Sequence, residues 1–369
     1  MSSALSSILR RLRCVAARAG ETLGRATTGR DRRAVGWVTA QTLLPGSSPE
    51  CLGCLTGAVG MRVGNNARWL NENSRDWWNE IYRPGRRYDI VVFFKAMDAA
   101  CQTEAARLRS RGTRVVFDAN VNYYEIWGEY NIEGTQPTPT QQQDAVAMTR
   151  EADHVVADSS YIAEVARRHN PQVTCIPDNL DINLFRRLKP HVPVGNVRIA
   201  WSGVAKKADH LLMIREALAG LRGAELVLVS DEKPAVLPEL GGLIPTRFVR
   251  YSDTAYARVL QGCDIIISPK RLINAYEMGH TEYKITLGMA VGLPAVASPQ
   301  PSYVEAISYA GGGLLVETSE QWRAALQGLI DDAGLRQDMG ERAARTVRER
   351  YATSVTGAAY LQVLRGLLR

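Results

Sequence analysis

Short apolar runs alternate with helix-like segments, and the alternation occurs twice along the chain. Such runs are typical of parallel strands that helices cover on both faces. The first series lies at residues 34–39, 88–94, 113–119, 154–159 and 172–178, and the second at 197–203, 224–231, 246–252, 263–269, 294–298 and 312–317. Two successive series predict two α/β domains, each built on a doubly wound parallel sheet.

Helical segments are predicted between these strands, at residues 99–111, 141–152, 161–169, 209–221 and 254–262. Prolines and a glycine within 184–196 indicate a connection between the domains. We therefore divide the chain into an N-terminal arm at 1–33, a first domain at 34–185, a linker at 186–195, a second domain at 196–350 and a C-terminal helix at 351–369. That last helix is expected to pack back on the first domain.

The most apolar stretch is TEYKITLGMAVGLPAVASP at 281–299, and it is too short and too interrupted to cross a membrane. Gly292 and Pro294 break it, so we predict a short buried helix at 286–291 and a short buried strand at 295–298. A single lysine, Lys284, stands directly before the apolar run.

The net charge of +7 is concentrated in the arm. Residues 1–33 hold eight arginines and two acidic residues, which accounts for six of the seven positive charges. Apolar residues recur there at helical spacing, as in a basic amphipathic helix. Docking on an anionic membrane surface, a solvated or packed arm and a mitochondrial transit peptide all remain open. Nucleic-acid binding is not indicated, because the charge excess does not lie on the folded body.

Six cysteines are scattered without a disulfide framework, and no secretory signal pattern is present. We therefore expect a cytoplasmic location, with peripheral attachment to the inner face of a membrane as an option. Cys51 and Cys54 form a CxxC pair, but no second pair completes a zinc site, so we interpret both as ordinary thiols.

Ligands of open α/β sheets bind beyond the carboxyl ends of the strands. The first strand of the second domain runs into WSGVAKKADH, where Gly203 allows a sharp turn and Lys206 and Lys207 precede a predicted helix start near Asp209. Lysines and free helix amides together favour a diphosphate; two solvated lysines are the simpler alternative. Later strands of this domain end at Ser230-Asp231 and at Ser268-Pro269, where a base or ribose could be held.

Four segments carry a resemblance to a known family: IAWSGVAKKADHLLMIREAL, VRYSDTAYARVLQGCDIIISP, YKITLGMAVGLPAVASP and AGGGLLVETSEQWRAALQGLI. In this order they resemble the nucleotide-sugar half of glycosyltransferases with the GT-B fold, in which two Rossmann-like domains face each other across a cleft. The similarity is greatest to the bacterial family 4 and family 1-like enzymes. It is strong in the second domain and weak before Asp153.

The resemblance implies a donor site around the apolar stretch. The family places the segment before this helix against the donor, so Tyr283, Lys284 and Thr286 are expected to lie beside the nucleotide sugar. Family 4 enzymes usually carry two glutamates seven residues apart; Glu277 resembles the first, but Leu287 stands where the second is expected. Glu282 is a candidate for the missing carboxylate, and an exposed loop glutamate is the alternative.

In the first domain the resemblance implies an acceptor side. Asn120 stands where many relatives have a histidine, after the strand that contains Asp118. We therefore predict that Gly46, Asp118, Asn120 and Asn122 line the acceptor side and that Asp118 is a possible base. Turn and cap formation is the alternative for the aspartate and the asparagines. Aromatic side chains at Trp77-Trp78, Tyr123-Tyr124 and Trp127 suit either core packing or stacking on a sugar.

The implied activity is transfer of a sugar from a nucleoside-diphosphate sugar, with UDP and GDP as leading candidates, to an acceptor hydroxyl of a glycan, a lipid-linked acceptor or a small molecule. The resemblance favours retention of the anomeric configuration. Lys207 and Lys284 would stabilise the leaving diphosphate without a metal or other cofactor. A catalytically silent GT-B module and a sugar-nucleotide epimerase remain alternatives. The epimerase would need a cluster of carboxylates and histidines, and the spacing of the five histidines predicts none.

Overall fold

A six-stranded parallel sheet lies at the centre of each of two units of the chain. The computed structural model describes residues 14–15, 32–40, 42–44, 51–193, 195–252 and 255–369. Unit 1 comprises 1–126, 137–179 and 353–369, and unit 2 comprises 127–136 and 180–352. The division places the last helix in unit 1, and it assigns to unit 2 a short segment, 127–136, that the sequence pattern put in the first domain.

The sheet of unit 1 has the strand order β2-β1-β3-β4-β5-β6. Its strands are β1 Arg33–Val38, β2 Trp77–Ile81, β3 Ile90–Phe94, β4 Arg114–Ala119, β5 His154–Ala157 and β6 Val173–Cys175. Strand β2 was not predicted, because polar residues interrupt its apolar pattern. One of them, Asn79, is fully buried and accepts a hydrogen bond from Trp37 Nε1 at 3.0 Å, which compensates for its burial.

Helices cover both faces of this sheet. Val91 and Phe93 pack into one buried cluster, whereas Ile90, Val92 and Phe94 pack into another, as the alternation of side chains along a strand requires. The helical segments of unit 1 are Leu52–Cys54 (3₁₀), Gly57–Val59, Gly60–Asn65 (π), Asn66–Asn73, Ala99–Arg109, Pro139–Glu151, Ser160–Arg167 and Thr353–Leu367. In the last of these, Tyr360 packs on Trp37 with ring centroids 5.5 Å apart.

The sheet of unit 2 has the order β12-β11-β10-β7-β8-β9. Its strands are β7 Val197–Ser202, β8 Ala224–Ser230, β9 Thr246–Arg250, β10 Ile265–Ser268, β11 Ala295–Ala297 and β12 Gly313–Leu315. All six were predicted, and Ile265 and Ile267 face one cluster while Ile266 faces the other. Two doubly wound sheets therefore confirm the predicted fold class.

The helical segments of unit 2 are Ile182–Phe185 (3₁₀), Ala205–Ile214 (3₁₀), Arg215–Ala219, Leu237–Leu243, Tyr256–Gln261, Ala275–Met278, Tyr283–Ala290, Pro301–Ala310, Ser319–Asp331, Ala333–Thr346 and Val347–Tyr351 (π). The apolar stretch forms the predicted helix and strand, at Tyr283–Ala290 and Ala295–Ala297. Gly288 is needed for its packing, since a Cβ there would lie 2.6 Å from Ile266 Cβ. Gly292 ends the helix with a φ of 88°.

Two predictions fall mainly or wholly outside the described residues. The arm at 1–33 is described only at 14–15 and 32–33, so its docking on membranes stays a prediction. Gly46, predicted on the acceptor side, also lies outside the described residues. Within the described part of the chain, no helix is long and apolar enough to span a membrane.

Candidate functional site: a lysine cluster in unit 2

Three lysines of unit 2 surround one buried glutamate. Lys207 lies in the 3₁₀ segment that follows β7, Lys270 lies two residues beyond β10, and Lys284 lies in the first turn of Tyr283–Ala290. Strands β7 and β10 are neighbours in the sheet, so their carboxyl ends bring these loops together. We call Lys207, Lys270 and Lys284 the lysine cluster. The glutamate is Glu277, in the short helix Ala275–Met278.

Lys270 and Glu277 form a buried ion pair. Lys270 Nζ lies 2.7 Å from Glu277 Oε2, and the two residues are 2% and 3% exposed. Burial would raise the pKa of Glu277, but Lys270 and Lys207 outweigh burial and lower it to about 2. Glu277 is therefore ionised, and it compensates one of the three lysine charges.

Lys207 is buried against aromatic and imidazole groups. Its ammonium donates to Tyr276 Oη at 3.0 Å, lies 3.3 Å from His280 Nε2 and stands 4.6 Å from the centroid of the Tyr276 ring. Burial lowers the pKa of Lys207, although Glu277 acts in the opposite direction. The aromatic face and the hydroxyl stabilise the ammonium without neutralising its charge.

Lys284 has the least compensated charge of the cluster. Its Nζ stands 5.5 Å from the ring centroid of Trp201, and the described residues offer it neither an ion pair nor a hydrogen-bond acceptor. Burial lowers the pKa of Lys284 well below its ordinary value, and Lys270 and Lys207 lower it further by repulsion. A charge in this position is stabilised when an anion binds beside it.

Gly203 makes room for Lys284. Its φ is not positive, so the predicted sharp turn is not the reason for a glycine at this position. A Cβ at residue 203 would lie 3.0 Å from Lys284 Nζ and 3.0 Å from the Trp201 ring. The glycine therefore allows the ammonium to approach the backbone at the end of β7.

Two histidines accompany the lysine cluster. His210 is 5% exposed, and burial, together with repulsion from the three lysines, lowers its pKa to about 4. Burial and the same lysines lower the pKa of His280 well below its usual range. Both imidazoles are neutral near pH 7. His280 lies beside Lys207 and His210 interacts electrostatically with Glu277, which the spacing of the histidines along the chain did not predict.

The structure separates the two adjacent lysines of the AKKA segment. Lys206 is solvent-exposed, with 66% of its side chain accessible, and its Nζ lies 3.4 Å from Glu133 Oε2. Lys207 points into the cluster. The helical segment also begins at Ala205 rather than near Asp209, and the Ala205 amide donates to Asp231 Oδ1 at 2.9 Å. That amide is consequently not available to a phosphate.

The remaining predicted donor residues lie around the same strand ends. Ser230 donates to Asp231 at 2.9 Å, and Ser268 is hydrogen-bonded to Tyr303 at 2.8 Å. The other predicted positions are Pro269, Glu282, Tyr283 and Thr286, of which Tyr283 is half-buried and the other three are buried. Glu282 is 2% exposed, so it is not an exposed loop glutamate. Lys270 was missed, although its place directly after Ser268-Pro269 was a usable signal.

A small pocket lies beside the lysine cluster. Asn131, Ile132 and Thr135 line one side of it, and His210, Asn274 and Glu277 line another. Among the described residues, no group of three histidine, cysteine, aspartate or glutamate side chains is arranged to hold a metal ion. The charged side chains that line the pocket are those of Glu277 and Arg271.

The predicted acceptor residues of unit 1 have structural partners. Asp118 is fully buried and accepts hydrogen bonds from Arg62 Nε at 3.1 Å and from the Tyr360 hydroxyl. It also forms an ion pair with Arg62 Nη2 at 3.0 Å. A base must reach the acceptor hydroxyl, and a carboxylate enclosed by these partners does not. We therefore correct the assignment of Asp118 from possible base to counter-ion of Arg62.

The two asparagines of the acceptor side are also engaged. Asn120 Nδ2 donates to Asp158 Oδ2 at 2.5 Å and to Asp178 Oδ1 at 3.1 Å. Burial and Asp178 raise the pKa of Asp158 well above its usual range. Asn122 is 1% exposed, and its Oδ1 accepts the Tyr124 amide at 3.2 Å, which is the turn-forming role named as the alternative. Of the predicted aromatic residues, Trp77 and Tyr124 are core residues, whereas Trp127 is 43% exposed.

Comparison with known proteins decides the class of the second domain. The family model for glycosyl transferases group 1 matches residues 196–332, which contain the whole lysine cluster. The chain carries a group 1 glycosyltransferase domain. Glycosyl transfer from a nucleotide sugar is therefore its activity, as the resemblance implied, and no curated protein sequence gives a significant match.

Solved structures of the GT-B fold are similar to the whole glycosyltransferase chain. A sucrose-phosphate synthase from Thermosynechococcus elongatus is 14% identical, with a TM-score of 0.67 over 91% of this chain and 99% of that one. A glycosyltransferase from Rickettsia africae is 15% identical, with a TM-score of 0.65 over 92% and 100%. Anabaena HepE in complex with UDP is 13% identical, with a TM-score of 0.63 over 90% and 100%. At these identities the similarity establishes the GT-B fold.

Proposed function

We propose that the lysine cluster binds the diphosphate of a nucleoside-diphosphate sugar and stabilises it as the leaving group. The observation that carries this proposal is the charge balance. Three lysines share one glutamate, which pairs with Lys270, and among the described residues Lys284 forms no ion pair of its own. Positive charge that is already fixed in a partly dry site stabilises a developing anion strongly, since little reorganisation is needed. A small pocket that Glu277 lines adjoins this charge.

Two finer features belong to the proposal. The lysine cluster supplies the positive charge that a divalent cation supplies in other nucleotide-sugar enzymes, so transfer is expected to proceed without added metal. Retention of the anomeric configuration rests on the resemblance to family 4 enzymes. UDP and GDP are the leading donor nucleotides, and Anabaena HepE has been solved in complex with UDP. Acceptors of the glycan, lipid-linked and small-molecule classes all remain compatible with the site.

A nucleotide panel tests the proposal directly. We expect one of UDP, GDP, ADP and dTDP to raise the melting temperature more than the others and more than CMP, in the presence of EDTA. A ligand that binds only the folded state stabilises it by about 2.7 kcal/mol at a hundredfold excess over Kd, which is readily measured by thermal unfolding. The matching monophosphate should stabilise less, because it presents one phosphate fewer to the lysine cluster.

The panel has two outcomes that count against the proposal. Equal shifts from all nucleotides and from pyrophosphate would indicate an unspecific basic site. The absence of any shift would leave the lysine cluster without a nucleotide ligand. A nucleotide that binds only when a divalent cation is added would remove metal independence from the proposal and leave the rest intact.

The pH dependence of anion binding follows from the lysine pKa values. Burial lowers the pKa of Lys207, Lys270 and Lys284 below the ordinary 10.5. In the window between the lowered values and 10.5, the unfolded chain binds more protons than the folded one, so stability without ligand should rise with pH. Affinity for an anion should fall over the same window, because binding needs the charged lysines.

We therefore expect pyrophosphate to bind at least about fivefold more weakly at pH 9 than at pH 7, measured by isothermal titration calorimetry. Pyrophosphate does not lose charge over this range, so a loss of affinity reports on the protein. Thermal unfolding of the ligand-free protein in the same buffers measures whether its stability rises with pH, as expected. Equal affinities at the two pH values would show that the lysines are not the groups that titrate.

A further inference from the structure

Residues 127–136 form a segment that belongs to unit 2 although the chain on both sides of it belongs to unit 1. Its backbone is bound to the loop before the helix Ala275–Met278. Gly128 and Asn274 form an antiparallel bridge, the Glu129 amide donates to Ile273 O at 3.2 Å, and the Ala275 amide donates to Trp127 O at 3.2 Å. Asn274 Nδ2 also donates to Glu129 O at 2.7 Å. We call residues 127–136 the wall segment.

Gly128 is the position where the wall segment and the loop touch most closely. Its φ is 84°, and a Cβ there would lie 1.9 Å from Ile273 O and 2.7 Å from Asn274 Cα. No side chain fits at that distance without movement of one of the two backbones. The same loop continues into Glu277, the partner of Lys270, so the contact sets how the wall segment lies relative to the lysine cluster.

The wall segment lines the pocket with groups that suit hydroxyls. Asn131 and Thr135 carry an amide and a hydroxyl, and Asn274 and Glu277 face the pocket from the loop and helix opposite. Arg271 also lines the pocket, so a cation and a carboxylate accompany the uncharged donors and acceptors. Groups of these kinds recognise the hydroxyls of a sugar by hydrogen bonds. The lysine cluster next to the pocket has the chemistry for phosphates. A pocket that suits hydroxyls therefore lies beside a site that suits phosphates, and a nucleotide sugar carries both groups.

We propose that the wall segment, through Asn131 and Thr135, recognises the sugar of the donor and so determines which nucleotide sugar the enzyme uses. This inference rests on the proposed diphosphate site. The contact at Gly128 positions the wall segment, and the lysine cluster binds the diphosphate whichever sugar is attached. Sugar selectivity and diphosphate affinity should therefore be separable by mutation.

Two glycines of the wall segment provide a matched pair of variants. Gly134 has a φ of 80°, close to that of Gly128, but a Cβ at Gly134 would meet nothing within 4 Å. Gly128→Ala and Gly134→Ala therefore carry the same cost of a left-handed backbone, and only Gly128→Ala pushes the wall segment away from residues 273–274. The probes are UDP-glucose, UDP-galactose, UDP-N-acetylglucosamine and GDP-mannose, with UDP, GDP and inorganic pyrophosphate for comparison.

We expect Gly128→Ala to weaken binding of the preferred nucleotide sugar about tenfold or more relative to Gly134→Ala, since each lost hydrogen bond to a sugar hydroxyl lowers affinity about fivefold and the displaced segment carries both Asn131 and Thr135. Affinities for UDP, GDP and pyrophosphate should change less than about twofold in both variants, because the lysine cluster is untouched. Asn131→Ala and Thr135→Val alter two side chains that line the pocket, and they should change the order of preference among the four nucleotide sugars. The loss of stability should be small, since Asn131 is exposed and Thr135, which donates to Ile132 O at 2.6 Å, is half-buried. They keep the test decisive if Gly128→Ala does not fold.

The remaining results overturn either the role of the wall segment or the diphosphate site, and they can be told apart. Equal losses in Gly128→Ala and Gly134→Ala, or an unchanged order of preference in Asn131→Ala and Thr135→Val, would remove the wall segment from sugar recognition. Nucleotide sugars that bind no more tightly to the unaltered protein than their nucleoside diphosphates would do the same. Failure of the unaltered protein to bind UDP, GDP or pyrophosphate would instead overturn the proposed diphosphate site.

Discussion

Replacement of Lys207 by methionine should lower the rate of nucleoside-diphosphate release from the donor about a hundredfold or more, the effect typical of losing one fixed stabiliser of a developing anion. Lys207 is buried beside Tyr276 and His280. Methionine is of similar length and carries no charge, so the packing is largely kept. Burial disfavours the ammonium and outweighs the attraction of Glu277, so its removal should leave the free energy of unfolding unchanged or raised.

The matched control is the neighbouring lysine. Lys206→Met removes an exposed side chain whose described ion pair is with Glu133, and exposed pairs contribute about 0–1 kcal/mol. The control should keep its rate within about threefold of the unaltered enzyme. Steady-state release of the nucleoside diphosphate and urea unfolding of both variants make the comparison. A near-normal rate for Lys207→Met would exclude this lysine from leaving-group stabilisation.

Replacement of Arg62 by methionine should destabilise the protein by about 3–5 kcal/mol, the usual cost when a buried charge loses its partner. Arg62 is fully buried, pairs with Asp118 and donates to Ile176 O at 2.7 Å. Its removal leaves the buried Asp118 carboxylate with the Tyr360 hydroxyl as its remaining described hydrogen-bond partner. Lys95 and Asp158 also interact with Asp118 electrostatically, the first by attraction and the second by repulsion. Arg68→Met is the control, since Arg68 is exposed and donates to Gly64 O and Asn65. Urea unfolding should separate the two clearly.

Asp118→Asn distinguishes the corrected role of Asp118 from the role that the sequence suggested. If Asp118 is the counter-ion of Arg62, the substitution should lower the free energy of unfolding about as much as Arg62→Met does, and it should leave the turnover of the folded protein close to normal. If Asp118 is the base, the substitution would lower turnover by orders of magnitude and change the free energy of unfolding little. Activity measured well below the unfolding transition, with urea unfolding of the same preparation, gives both values. A large loss of turnover in a stable variant would restore the catalytic assignment.

Part of the site was accessible from the sequence because it depends on local order. Parallel strands place the loops that follow them on one edge of the sheet, so the sequence predicted that Lys207 and Ser268-Pro269 lie near each other. Lys284 was predicted because its segment resembles that of a known family. The resemblance did not show that Lys207 and Lys206 point in different directions, since adjacent residues in a helical turn differ in direction by about 100° or more.

What the sequence by itself determined is the architecture: two doubly wound α/β domains, all their strands except β2, and the buried position of the apolar stretch. The spacing of apolar residues and the positions of glycine and proline are local signals. They are strong here because both faces of each sheet are buried. Only the tertiary structure decided which polar residues share a site. Asp118 meets Tyr360 across 242 positions, and Lys270 and Glu277 meet His210, which lies on another strand's loop. Electrostatic partners are chosen by distance in space, so their roles follow only once the chain is folded.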